Sequence, residues 1–91
     1  MTERDAIQDL GDKALADIKA LRHGEVRLDA VTAIVEAIRQ CAPIGPLAHT
    51  LEDELHQAVL RVIAEGRAEQ PAAIAAEALK TTAIRFDRWY E

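Results

Sequence analysis

Apolar residues recur along this chain at steps of three and four, the spacing of helices that bury one face. Between about residues 3 and 23, Ile7, Leu10, Ala14, Ile18 and Leu21 fall on one stripe. A second run over about 28–41 gathers Leu28, Val31, Ile34, Val35 and Ile38, and sets Ala33 and Ala37 on another side that a neighbour can approach closely. A third, about 46–65, aligns Leu47, Leu51, Leu55, Ala58, Val59 and Val62. The fourth, about 71–90, has Ala75, Leu79, Thr82, Phe86 and Trp89 as its best stripe, with Ala78 beside them. No run combines strict alternation, β-branched residues and turn signals as a strand does, and no internal repeat is visible.

The punctuation agrees with four helices. Thr2 is placed to cap the first, with Asp5 at the capping-box position, and Gly24 is placed to end it. Gly11, inside that helix, costs about 1 kcal/mol relative to alanine; it marks either a close helix crossing or a tolerated surface position. Cys41-Ala42-Pro43-Ile44-Gly45-Pro46 stops the second helix, and Pro46 suits the first turn of the third. Gly66 closes the third, and Pro71 opens the fourth. The fold class expected is all-α: a small antiparallel bundle of about four helices forming a single domain over 1–91.

Composition thins the expected core. Of the 91 residues 18 are alanine, and Phe86, Trp89 and Tyr90 are the only aromatics. Thin cores are often completed by a second chain. The formal charge of -5 shows no basic patch able to neutralise phosphates, so nucleic acid is not an expected partner. A helix-turn-helix built on helices two and three would also put acidic Leu47–Glu54 where donors are required. No apolar run is long enough for a membrane span, and the charged residues 1–9 lack the apolar core of a secretion signal. With Cys41 as the one cysteine, the expected setting is the reducing cytoplasm.

The densest chemistry lies on the third helix. His49, Asp53 and His56 follow one another at steps of four and three, opposite the leucines, and Glu52 lies between them and the apolar stripe. Imidazole and carboxylate at this spacing can ligate zinc, or iron or manganese with further oxygens. Against a metal centre, the group faces away from the leucines, and no other helix offers a matching Glu-x-x-His. The simpler expectation is a solvated face, with a polar cluster at an interface as a further reading.

Other constellations carry less. Cys41 sits at a helix carboxyl end, which disfavours a thiolate, and reads as structural. The acidic residues Glu3, Asp5, Asp9 and Asp12 are interspersed with Arg4 and Lys13 as on a solvated face. There is no serine and no glycine-rich phosphate loop, so no catalytic residue is assigned. Leu60 and Ile63 lie on or beside the outer face of helix three, and Arg88, Trp89 and Tyr90 combine the residue types that binding surfaces favour. Packing of Phe86 and Trp89 against the bundle is the structural alternative for that tail. The expectation is a non-enzymatic protein-interaction or oligomerising module, its partner a protein or a second copy in a homo-dimer, with interface residues Leu60, Ile63, Arg88, Trp89 and Tyr90. The alternative is a bundle binding metal or a small ligand through His49, Asp53, His56 and Glu52.

Overall fold

The structure, a computed structural model, describes residues 2–88. It contains four helices: α1 (Glu3–Ala20), α2 (Leu28–Gln40), α3 (Gly45–Ala64) and α4 (Pro71–Leu79), the last continued by a 3-10 turn over Lys80–Ala83. The bundle expected from the apolar spacing is therefore present. Thr2 and Asp5 form the capping box: the Asp5 N–H donates to Thr2 Oγ1 and the Thr2 N–H to Asp5 Oδ2, each at 3.1 Å.

Consecutive helices pair as two antiparallel hairpins, α1–α2 and α3–α4. The hairpins lie side by side, α1 packing on α3 and α2 on α4. Both connecting loops sit at the same end. There the backbone of the first loop meets the second in an isolated parallel bridge between Val26 and Ala68. The Val26 N–H donates to the Arg67 carbonyl at 2.8 Å, and the Glu69 N–H to the Val26 carbonyl at 3.0 Å. Gly24 and Gly66 make the turns into these loops at φ 69 and 71, a left-handed geometry that glycine adopts without strain. Arg67 binds the hairpins further, its Nη1 donating to the carbonyls of Leu21 and Gly24 at 2.7 and 2.9 Å. Carbonyls left open at the end of α1 are thus met from the other hairpin.

The core runs continuously through both hairpins. Ala14, Ile18 and Leu21 of the first segment, Val31, Ile34, Val35 and Ile38 of α2, and Leu51, Leu55, Val59 and Val62 of α3 are all buried, as their spacing predicts. Gly11 proves to be a close crossing: a β-carbon there would come within 2.6 Å of the Leu47 side chain. Cys41 is fully buried beside the Ile7 carbonyl, and burial pushes its thiol pKa up.

The fourth helix departs from expectation. It ends at Leu79 rather than near residue 90, and its buried positions are Ile74 and Ala78, followed by Thr81 and Ile84, not the Ala75–Leu79–Thr82–Phe86 stripe. Two threonine hydroxyls meet carbonyls at this end. Thr81 Oγ1 donates to the Ala78 carbonyl at 3.1 Å and Thr82 Oγ1 to the Leu79 carbonyl at 2.7 Å, satisfying acceptors that a continuing helix would use. Beyond the 3-10 turn the chain is extended through Arg88. Its backbone at Asp87 passes the start of α3 so closely that a β-carbon on Gly45 would lie 3.2 Å from the Asp87 carbonyl oxygen. Trp89 and Tyr90 lie outside the described residues.

Candidate functional site

The polar side of α3 is only partly a solvated face: the Asp53 side chain is 50% exposed, but its neighbours are covered. Glu52 is buried, and the His49 side chain is 16% exposed. Spacing on one helix sets these groups opposite the leucines and carries no information about what another part of the chain lays over them. The extended segment after Ala83 lies along the first half of α3 and covers that side.

Arg88 secures the covering. Its Nε donates to Glu52 Oε1 at 2.9 Å and its Nη2 to Oε2 at 3.2 Å, a two-pronged pairing of planar guanidinium and carboxylate. The same Nη2 donates to the Thr81 carbonyl at 2.7 Å, so one side chain ties the extended segment both to α3 and to the turn that precedes it. The guanidinium also stacks over Phe86, 3.8 Å from the ring centre. Burial alone would raise the Glu52 pKa. The Arg88 hydrogen bonds, the Thr81 hydroxyl and the charges of Arg88 and His56 outweigh it and hold the carboxyl below its ordinary range.

His56 extends this cluster toward α4. Its Nε2 lies 3.1 Å from the Ala78 carbonyl and 2.9 Å from Thr81 Oγ1. A carbonyl only accepts, so Nε2 carries the proton. The imidazole therefore bridges α3 to the end of α4, at a carbonyl that Thr81 Oγ1 also reaches. His49 pairs locally, its Nε2 3.2 Å from Asp53 Oδ2.

Of the four residues considered as metal ligands, Glu52 and His56 meet at Thr81 beside Arg88, while His49 Nε2 lies beside Asp53. Among the described residues, no group of three or more His, Cys, Asp or Glu side chains is arranged to hold a metal ion. Arg88, expected at an interface, is turned inward as the clamp on Glu52. The pairing spans 36 positions, and no periodicity marks it; the only hint was a carboxylate at the edge of an apolar stripe.

Past the clamp, the same α3–α4 junction opens. Leu60 is 68% exposed and Leu79 is 60% exposed, the two large apolar side chains left in solvent among the described residues. With His56, Val59, Ala75 and Ala78 they line a shallow cleft of about 210 Å³. Ile63, one turn further along α3, is half-buried against the core. Outside the cleft α4 shows Ala72 and Ala76. Its one charged residue, Glu77, is largely covered and paired with Lys80 at 2.9 Å. Spacing sets Leu60 on the outer face of α3 and sets Leu79 in the stripe expected to be buried.

No family model, curated protein or solved structure matches the chain. Among the described residues, no helix is long and apolar enough to cross a membrane.

Proposed function

We propose that this is a protein-interaction module whose working surface is the α3–α4 face. One observation carries the reading: Leu60 and Leu79, on adjacent helices, stand exposed together over a cleft lined, among the described residues, by no Asp, Glu, Lys or Arg. Scattered exposed apolar side chains are ordinary, but two leucines from different helices flanking one groove offer a partner a place to bury surface. Fully covering a leucine side chain is worth about 1.5–3 kcal/mol, which suits it as an anchor in a small contact.

The polar cluster supports this surface rather than competing with it. His56 forms one wall of the cleft while its Nε2 holds the Ala78 carbonyl, fixing the end of α4 that carries Leu79. The test is capture from an extract of the source cells, using the purified chain and a Leu60→Asp/Leu79→Asp variant as baits. A protein crosslinked to the first and lost with the second is the expected result. If both baits recover the same proteins, or neither recovers any, this face is not the working surface.

A further inference from the structure

No basic run marks the sequence, yet the docking of α1 on α3 assembles a cationic cavity. Of the 11 Lys and Arg side chains, Arg4, Lys19, Arg22, Arg61 and Arg85 meet no carboxylate among the described residues. Lys19, Arg22 and Arg61 all line one cavity at the carboxyl ends of α1 and α3. A cation in a last turn complements the helix dipole, which accounts for Lys19 and Arg61 one at a time. It does not account for their bordering a common space together with Arg22. The chain has 16 Asp and Glu, but among the described residues only Glu54 borders that space.

The cavity has a fixed wall and an apolar floor. Arg67 is the wall, held by the Leu21 and Gly24 carbonyls and by Glu65 Oε1, which accepts from its Nε at 2.8 Å and its Nη2 at 2.7 Å. Two carbonyl oxygens at the end of α1, which would repel an anion, are thereby occupied, and Glu65 balances the Arg67 charge. Ile18, Leu21 and Ala58 form the floor, and low-dielectric walls concentrate the field of the charges above them. Lys19, Arg22 and Arg61 set against Glu54 leave a surplus of two positive charges. The space measures about 40 Å³. One water needs about 10–15 Å³ of such space, so the cavity admits a group of about three or four oxygens.

We infer that this cavity binds a phosphate group, free or as the monoester of a small molecule. Near pH 7 such a group carries a charge of about -1.5 to -2, which matches the surplus, whereas a single carboxylate leaves one positive charge unmatched. Arg22 and Arg61 each present a planar fork of donors suited to phosphate oxygens, and Lys19 adds a point charge. Glu54, Ala58 and Arg61 lie on the side of α3 opposite His56 and Leu60. The site is therefore separate from the Leu60–Leu79 cleft and does not depend on the interaction reading.

Titration of the isotope-labelled full chain, followed by amide chemical shifts at about pH 7.5 and constant ionic strength balanced with chloride, tests this. The two probes are inorganic phosphate and glycerol phosphate. The expected result is saturable shifts around residues 18–22 and 57–61, with a Kd of about 1 mM or tighter. Arg22→Gln and Arg61→Gln should each weaken binding about tenfold or more, and Glu54→Gln should tighten it about two- to fivefold. Arg4→Gln removes the same charge at the far end of α1 and should leave binding unchanged. All four of these side chains are exposed, and the amide spectrum of each variant should show the fold retained. Saturation by inorganic phosphate alone assigns the free ion as the ligand, and saturation by glycerol phosphate assigns the monoester. Absence of saturable shifts with both probes overturns the inference. So does an equal weakening by Arg4→Gln and Arg61→Gln, which would reduce the effect to the charge of the whole chain.

Discussion

The two ends of the α3–α4 junction are closed in opposite ways. Near the start of α3 the gap is filled from within: the extended segment crosses it, and Glu52, Arg88, Thr81 and His56 satisfy one another beneath. Further along α3 nothing from the chain's described residues crosses, and Leu60 and Leu79 stand in solvent. The chemistry follows the geometry. A covered groove can hold a carboxylate only if a cation is brought in with it. An open groove lined by leucine and alanine is stable without a partner but holds surface that one can bury. A single helix thus spends its polar side on internal closure and its apolar outer residues on the outside.

The largest effect that would break this contrast is at the clamp. Arg88→Ala should destabilise the fold by about 2–3 kcal/mol in urea denaturation. That is somewhat below the usual cost of stranding a buried charge, because Arg88 retains some exposure. Glu52→Leu combined with Arg88→Leu should cost less than Arg88→Ala alone, since no charge is then left unpaired. A double variant as unstable as the single one would show that packing of the segment, not the pairing, carries the energy.

Acid sharpens the same point. The Glu52 carboxyl is depressed in the folded protein, so its contribution to stability is present above the ordinary carboxyl value near 4.5 and is lost as pH falls through the lower folded value. Unfolding followed from pH 6 downward should therefore show stability falling in that acid window, and Glu52→Gln should flatten the fall. An unchanged slope in the Gln variant would assign the acid sensitivity to other carboxylates.

At the open end the expected effect is the smallest. Leu60→Asp should change single-chain stability by no more than about 0.5 kcal/mol when measured at high dilution, as substitutions on an uncovered surface usually do. A loss of about 2 kcal/mol or more at that dilution would mean that Leu60 is part of the monomer's core, and the comparison between the two ends would fail.

Much of this molecule was legible in its residues. The stripes of α1, α2 and α3, the Thr2–Asp5 cap and the breaks at Gly24 and Pro43–Pro46 all follow from interactions within about one helical turn or from spacing on one helix. The fourth helix misled because its alanines satisfy several stripes equally well. The choice between stripes fell to Ile74, Ala78 and Thr81, whose burial depends on what they meet.

By itself, then, the sequence determined the helical fold class, three of the four buried faces and the placement of the turns, because these depend on local propensity and on a periodicity fixed by helix geometry. Tertiary structure decided where α4 stops, that the chain turns back over α3, and that Glu52 faces Arg88 from 36 positions away. It also decided that the loops of the two hairpins meet in the Val26–Ala68 bridge. Those outcomes depend on which backbone carbonyls find donors and which surfaces meet across the bundle, and such pairings leave no period along the chain.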